Sequence, residues 1–217
     1  MRIVLLGAPG AGKGTLAKDL IDYFKIPHIS TGDMFREAVA AGTELGLKVK
    51  NILESGSLVP DEIVIQVVEE RLRKGDCQKG FVFDGYPRTI PQAIALDEIL
   101  SKMSAKLDAV IYLEISEQAV VKRLTSRRVC PRCGRIYNMI SMQPKNDEQC
   151  DDDGTKLIIR DDDKEEVVRR RYRLYVEMTE PLKNYYQDKN ILIRVNSEID
   201  HQDLADRVIK TLEKVRS

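Results

Sequence analysis

Residues 7–15, with the sequence GAPGAGKGT, carry the side chains and the spacing best suited to chemistry in this chain. A segment this rich in glycine lets several backbone N–H groups converge on one phosphate group. Lys13 adds a positive charge for the outer phosphates, and the Thr15 hydroxyl can face the magnesium ion that accompanies a nucleotide. The pattern therefore predicts a phosphate-binding P-loop.

The sequence on both sides of the loop supplies the context that this motif requires. Residues 3–6 form an apolar run typical of a buried strand. After the loop, apolar residues recur at helical spacing: Leu16, Leu20, Ile21 and Phe24. A helix that begins near Lys13 would direct the positive end of its dipole at bound phosphates. An ordinary glycine turn would need neither the lysine nor the threonine, so we favour the P-loop.

A second group of residues has the spacing of metal ligands. Cys130 and Cys133 form a C-x-x-C pair, and Cys150 and Asp153 repeat that spacing after a hairpin-length stretch. Zinc in a structural site takes four ligands in a tetrahedron, so these residues predict a closed Cys3Asp site. Two alternatives stay open: a redox C-x-x-C, which is usually found at a helix N-terminus rather than among turns, and a site without Cys150 and Asp153.

Arginines at predicted strand ends, loop edges and segment borders form a third group. They are Arg36, Arg88, Arg123, Arg127, Arg160 and Arg171. Each of them alone would be read as a solvated surface charge. Beside a P-loop, the group suits a reaction that brings two phosphorylated molecules together against their mutual repulsion.

Apolar runs alternate with helical patterns along the chain. Such alternation predicts a parallel, doubly wound α/β sheet of five strands flanked by helices. The strands are expected at residues 3–6, 26–30, 81–84, 108–115 and 191–195. Residues 127–159 differ, because cysteines, prolines and short alternating runs there predict an inserted strand-and-turn module. A long helix is expected over residues 163–188, and any interruption is expected near Pro181.

The composition limits the kinds of partner. The 217 residues include 35 basic and 35 acidic side chains, and this balance argues against a general nucleic-acid or membrane-surface binder. Apolar runs are of strand length, and Met1 and Arg2 lead directly into the first predicted strand. The expectation is a cytoplasmic protein.

Taken in order, the motifs resemble those of adenylate kinase in its long, zinc-bearing bacterial form. Besides the P-loop, they are residues 30–36 (STGDMFR), 58–61 (LVPD), 83–88 (FDGYPR) with Gln92, 125–128 (TSRR) and 160–163 (RDDD). Together they cover the chain from end to end. The family often has Phe where Tyr86 stands, a difference that keeps the aromatic ring.

The resemblance implies reversible transfer of the ATP γ-phosphoryl group to AMP, which gives two ADP, with Mg2+ and with closure of a lid that excludes water. It also implies a monomer of three parts. The core would comprise residues 1–29, 60–125 and 164–217, the AMP-binding insertion residues 30–59, and the zinc-binding lid residues 126–163.

The resemblance assigns roles to individual residues as well. The residues expected to bind AMP are Thr31, Arg36, Ser57, Leu58, Val59, Gly85, Tyr86, Pro87, Arg88, Gln92, Arg160 and Arg171. Those expected to bind ATP are Gly10, Ala11, Gly12, Lys13, Gly14, Thr15, Arg127, Ile136, Tyr137 and Glu198. The expected catalytic residues are Lys13, Arg36, Asp84, Arg88, Arg123, Arg127, Arg160 and Arg171, with Asp84 orienting magnesium-bound water. The Tyr86–Pro87 peptide bond is expected to be cis.

Two other functions are compatible with parts of this pattern. A kinase for UMP or CMP would share the scaffold, although Thr31 and Gln92 favour adenine. A non-catalytic nucleotide-binding zinc protein is the other alternative. A GTPase switch should carry an N-K-x-D motif, and a nucleic-acid-binding zinc ribbon would usually lie in a more basic chain.

Overall fold

The alternating pattern folds into one parallel sheet with a small separate hairpin. In the computed structural model, which describes residues 1–216, the strands are β1 (Arg2–Gly7), β2 (His28–Ser30), β3 (Phe81–Asp84), β4 (Ala109–Glu114), β5 (Arg127–Val129), β6 (Ile136–Asn138) and β7 (Leu192–Asn196). The main sheet has five strands in the order β2-β3-β1-β4-β7, and all of its pairings are parallel. The predicted fold class is confirmed.

The helices cover both faces of this sheet. They are α1 (Lys13–Phe24), α2 (Thr31–Ala40), α3 (Glu44–Glu54), α4 (Asp61–Leu72), α5 (Ile90–Lys102), α6 (Glu117–Thr125), α7 (Glu165–Leu174), α8 (Leu182–Asp188) and α9 (His201–Arg216). Within residues 1–216, none of the helices combines the length and the apolar character that a bilayer crossing needs.

The central strand β1 is apolar without a break because both of its faces are covered. Val4 and Leu6 belong to one core cluster, which includes residues of α4, α5 and α8. Ile3 and Leu5 belong to the other cluster, which includes residues of α1 and α9. Side chains alternate between the two faces of a strand, so the apolar run at residues 3–6 contributes to both clusters.

Side-chain caps set where several helices begin. The Ser30 hydroxyl accepts a hydrogen bond from the Asp33 N–H at the start of α2. Thr89 caps α5 in the same way, through the N–H of Gln92. Both caps follow strands of the main sheet, so they fix how the chain leaves the carboxyl edge of that sheet.

The helical region expected over residues 163–188 is interrupted close to Pro181, as the sequence analysis allowed. A 3-10 turn (Asp161–Asp163) precedes α7, and a π-helical segment (Tyr175–Thr179) lies between α7 and α8. The Glu180 N–H donates to the Tyr175 carbonyl at 2.8 Å, one residue further back than in an α-helix. Pro181 has no N–H to continue the α-helical pattern, and the widened turn comes just before it.

The inserted module forms as predicted between α6 and α7. Strands β5 and β6 pair antiparallel, and an isolated bridge joins Val129 to Ile158. The buried cluster of this module contains Cys130, Tyr137, Cys150 and Leu157. So small a core provides little hydrophobic stabilisation of its own.

Candidate active site

A cavity of about 590 Å³ opens at the carboxyl edge of the main sheet. Strand β1 runs into the P-loop there, β2 runs into α2, and β3 ends at Asp84 before residues 85–88. In open parallel sheets the loops that follow the strands meet at this edge, which is where ligands bind. The inserted module contributes Ile136 and Tyr137 to the lining of this cavity.

The P-loop wraps the amino end of α1. Gly12, the residue before that helix, has φ = 90°, a conformation that side-chain-bearing residues rarely adopt. The ammonium group of Lys13 donates to the carbonyl oxygens of Gly7 and Ala8, both at 2.9 Å. Burial lowers the pKa of Lys13 to about 8, a shift that the Asp84 carboxylate partly opposes and that Arg88 and Arg171 increase.

Asp84 lies on the floor of the same cavity. Its Oδ2 is 3.8 Å from Nε2 of His28, too far for a hydrogen bond but close enough for electrostatic interaction. Burial alone would raise the pKa of Asp84, but His28 and Lys13 outweigh it and the pKa is lowered. The floor of the cavity therefore carries a carboxylate beside the P-loop lysine.

All six arginines singled out in the sequence line this cavity: Arg36, Arg88, Arg123, Arg127, Arg160 and Arg171. Burial, followed by the charge of Arg171, lowers the pKa of Arg88 to about 10. Burial, followed by the charge of Arg36, does the same for Arg160. Such crowding of cations stores repulsion that a polyanion would relieve.

Carboxylates that the sequence reasoning missed hold several of these arginines. Arg127 donates to both carboxylate oxygens of Asp163, at 2.5 and 2.7 Å, and the Asp163 side chain is fully buried. Arg171 lies 2.9 Å from a carboxylate oxygen of Asp162, and Arg36 lies 2.5 Å from Asp33. These aspartates stand inside the recognised motifs STGDMFR and RDDD, so their positions were visible but their pairing was not.

A smaller pocket of about 30 Å³ lies next to the cavity, at the side of α2 and α5. It is lined by Thr31, Gly32, Phe35, Leu53, Ser57, Leu58, Val59, Val64, Gly85, Arg88 and Gln92. We call it the base pocket, because its apolar walls, two buried polar side chains (Thr31 and Gln92) and a neighbouring arginine would suit the flat ring and the phosphate of a mononucleotide.

Almost every predicted nucleotide-binding residue lines either the cavity or the base pocket. Tyr86 is an exception, since its fully buried ring packs against Phe83 and its hydroxyl donates to the Gln92 carbonyl at 3.0 Å. Its side chain therefore lies in the core behind the lining residues and does not face the cavity or the base pocket. The Tyr86–Pro87 bond is cis, as expected.

Glu198 is the other exception. Its carboxylate accepts a hydrogen bond from the Ser116 N–H at 2.7 Å, at the amino end of α6, and the residue is exposed. Its neighbours Ser197 and Ile199 do line the cavity. Arg123 donates to the Ser197 carbonyl at 2.7 Å, which ties this segment to α6.

The four candidate metal ligands come together in the inserted module. The ligand atoms of Cys130, Cys133, Cys150 and Asp153 all lie within 4.8 Å of one another. Tetrahedral zinc with thiolate ligands needs sulfur atoms about 3.8 Å apart, and the sulfur atoms of Cys133 and Cys150 are 3.5 Å apart. That separation is far too long for a disulfide. The donor set and its spread fit a tetrahedral metal ion.

Tyr137 connects this cluster with the cavity that it lines. Its hydroxyl lies 3.5 Å from the sulfur of Cys150 and accepts a hydrogen bond from the Asp151 N–H at 2.7 Å. The guanidinium of Arg135 stands over its ring at 5.1 Å. The ring is therefore held on one side by the residues that surround the metal ligands.

Comparisons with known proteins agree with this arrangement. The family model described as adenylate kinase matches residues 5–191. An adenylate kinase of Pseudothermotoga lettingae is 73% identical over 217 residues, with all of both chains covered. Those of Kosmotoga olearia and Archaeoglobus fulgidus are 53% and 52% identical, with 99% and 100% of this chain and all of each relative covered. The chain belongs to the adenylate kinase family.

Proposed function

We propose that this chain transfers the γ-phosphoryl group of ATP reversibly to AMP, giving two ADP. The observation that carries this proposal is the arrangement of two phosphate-binding regions in one cleft. The P-loop with Lys13 lines the large cavity together with six arginines, and one of these, Arg88, also lines the adjoining base pocket. A site for two nucleotides, end to end, fits this geometry.

Alignment and charge neutralisation are the work of the protein in this reaction. The backbone N–H groups of the P-loop and Lys13 would hold the ATP phosphates, while Arg36 and Arg88 would hold the AMP phosphate. The remaining arginines would neutralise the group in transfer: Arg123, Arg127, Arg160 and Arg171. Since the attacking AMP phosphate is already an anion, no general base is needed.

Two residues of this cleft suit the Mg2+ that adenylate kinases use with ATP. The Thr15 hydroxyl and, through water, the Asp84 carboxylate would hold it, and both are hard oxygen donors. Held there, the ion would supply positive charge that offsets the charge of the phosphates. The lowered pKa of Asp84 supports this role, because it keeps the carboxylate ionised.

We assign the three parts of the chain as the resemblance implies, with residues 30–59 as the AMP-binding insertion and residues 126–163 as the lid. The lid would close over ATP before transfer, because water would otherwise compete with AMP as acceptor. Zn2+ at Cys130, Cys133, Cys150 and Asp153 would be structural, since four protein ligands leave no open position. We expect a monomer that acts on free nucleotides.

The test is ADP formation from purified protein, ATP, AMP and Mg2+, with AMP omitted in the control. Two ADP should appear for each ATP consumed, and little should form without AMP. Parallel assays with CMP, UMP and GMP test acceptor choice. A faster reaction with CMP or UMP than with AMP would replace the proposal by another nucleoside monophosphate kinase, and no transfer to any acceptor would exclude catalysis of this kind.

A further inference from the structure

We propose that Asp61 is a positioning residue that determines base specificity. It fixes the side-chain amide of Gln92 in the orientation that accepts a 6-aminopurine and rejects a 6-oxopurine. This inference rests on the proposed function, because it takes the base pocket as the site of the acceptor nucleotide. Asp61 itself does not line that pocket, and it acts through Gln92.

The amide of Gln92 is held from both ends. The residue is 2% exposed and lines the base pocket. Its Nε2 donates to Oδ1 of Asp61 at 2.7 Å, and its Oε1 accepts from the backbone N–H of Arg88 at 2.7 Å. The second oxygen of Asp61 accepts from the Thr89 hydroxyl at 3.0 Å, so the carboxylate is itself held in place.

These two partners determine which end of the amide faces which way. An ionised carboxylate can only accept a hydrogen bond, and a backbone N–H can only donate one. Turning the amide by half a rotation would set oxygen against the Asp61 carboxylate and NH2 against the Arg88 N–H. Both hydrogen bonds would be lost, two acceptors would face each other at Asp61, and two donors would face each other at Arg88. These groups are buried, so the turned state is disfavoured.

The groups that remain free on Gln92 form a fixed pattern. One hydrogen of Nε2 and one lone pair of Oε1 are left for a ligand, so the pocket offers one donor beside one acceptor. Adenine carries an amino donor next to a ring-nitrogen acceptor and matches that pattern. Hypoxanthine and guanine carry an oxygen acceptor where adenine carries its 6-amino group, and the ring nitrogen N1 next to it carries a hydrogen and is a donor. A glutamine free to turn could read both types of base, whereas this one reads the amino type.

The main experiment replaces Asp61 by Asn, which has almost the same shape. An asparagine amide can accept from Nε2 of Gln92 or donate to its Oε1, so one of the two constraints disappears while the Arg88 N–H remains. We would measure kcat/KM for AMP and for IMP with saturating ATP. IMP is the probe because it has the 6-oxo group without the 2-amino group of GMP. The ratio of kcat/KM for AMP to that for IMP should fall about tenfold, the factor expected for one charge-assisted hydrogen bond.

Thr89→Ala provides the matched control. It removes the other hydrogen bond to the same carboxylate and the side-chain cap of α5, but leaves both contacts of the Gln92 side chain. Its melting temperature should fall while the AMP to IMP ratio stays as in the unmodified protein. An equal change of the ratio in Thr89→Ala and Asp61→Asn would overturn the proposal, because it would indicate a general effect on α5.

The remaining outcomes separate this inference from the proposed function. Failure of the unmodified protein to phosphorylate AMP would refute the proposed function. Activity on AMP with an unchanged ratio in folded Asp61→Asn would refute only the role of Asp61. If that variant does not fold, hydrogen exchange at the Gln92 side-chain amide decides in the unmodified protein. Strong protection relative to the exposed Gln187 is expected, and equal exchange rates would overturn the proposal.

Discussion

Individual charges in the cleft are satisfied by the protein itself in the arrangement described. Lys13 donates to two carbonyl oxygens of its own loop, and Arg127 is paired with Asp163. A bound polyphosphate must therefore replace these contacts by stronger ones. Phosphate oxygens can do so, because hydrogen bonds between two charged groups are the stronger kind.

Replacement of Lys13 by Ala should reduce phosphoryl transfer by about a hundredfold or more, since one charge aimed at the phosphates is lost. The fold should persist, because the ammonium contacts only carbonyl oxygens of the loop. Steady-state rates and melting curves would measure both effects. Lys18→Ala is the matched control on an exposed position of the same helix, and near-normal turnover of Lys13→Ala would contradict the P-loop assignment.

The lowered pKa of Lys13 predicts a pH dependence. Without nucleotide its ammonium loses the proton near pH 8, so kcat/KM for ATP should decline above that pH. Bound phosphates favour the charged form and raise the pKa, so kcat should decline only at higher pH. The measurement is a pair of pH–rate profiles. Any residual activity of Lys13→Arg should lack the decline near pH 8, because a guanidinium stays charged.

Elements meet at the two borders of the proposed lid. Arg127 begins β5, and Asp163 closes the 3-10 turn before α7. Their two hydrogen bonds therefore join the segment that enters the module to the segment that leaves it. The Asp163 side chain has no exposed surface, so loss of one partner would leave a buried charge unpaired. Breaking this pair should therefore cost more stability than breaking a surface ion pair.

Asp163→Asn should lower the free energy of unfolding by on the order of 3 kcal/mol, because it leaves Arg127 without its charged partner. Urea unfolding would measure the change. Asp161→Asn is the control from the same run of aspartates, where the side chain is 70% exposed and pairs with Lys164. That change should cost under about 1 kcal/mol. Equal costs at the two positions would show that burial of the pair contributes nothing.

At the scale of the whole molecule, periodicity predicted the fold, and the motifs indicated which residues meet around the cavity. Residues 3–6 marked the central strand because a strand covered on both faces must be apolar throughout. The loops that follow parallel strands meet at one edge, so the P-loop and residues 83–88 could be expected together. Those parts of the structure follow from local sequence and one topological rule.

What the sequence did not predict depends on contacts between distant residues. Asp61 and Gln92 are far apart along the chain, and nothing in either motif indicates that one orients the other. An interruption near Pro181 was expected, but its π-helical form was not, because a helical pattern in the sequence does not distinguish an α-turn from a wider one. Tyr86 stands inside a nucleotide-binding motif, yet its ring points into the core, because a motif does not say which of its side chains face the ligand.

The module between α6 and α7 has only a small hydrophobic cluster. Its buried cluster consists of two candidate metal ligands, Cys130 and Cys150, together with Tyr137 and Leu157. Metal binding and folding should therefore be coupled there, since the ion would join two turns that otherwise have little to hold them. The main sheet has its own two clusters and should not depend on the ion.

Removal of zinc should consequently lower the melting temperature and affect the two substrates unequally. Tyr137 contacts Cys150 and lines the cleft on the lid side, so KM for ATP should rise when the ion is lost. KM for AMP should change little, because the base pocket contains no residue of the module. Elemental analysis, melting curves and both KM values, before and after chelation, would measure this.

Two cysteine variants provide the control. Cys150→Ser should reproduce the loss of zinc, whereas Cys77→Ser, at a buried cysteine outside the module, should keep about one zinc per chain. Protein purified without chelator that contains no zinc would remove the metal-site assignment, and equal increases in both KM values would show that the whole cleft, rather than its ATP side, depends on the ion.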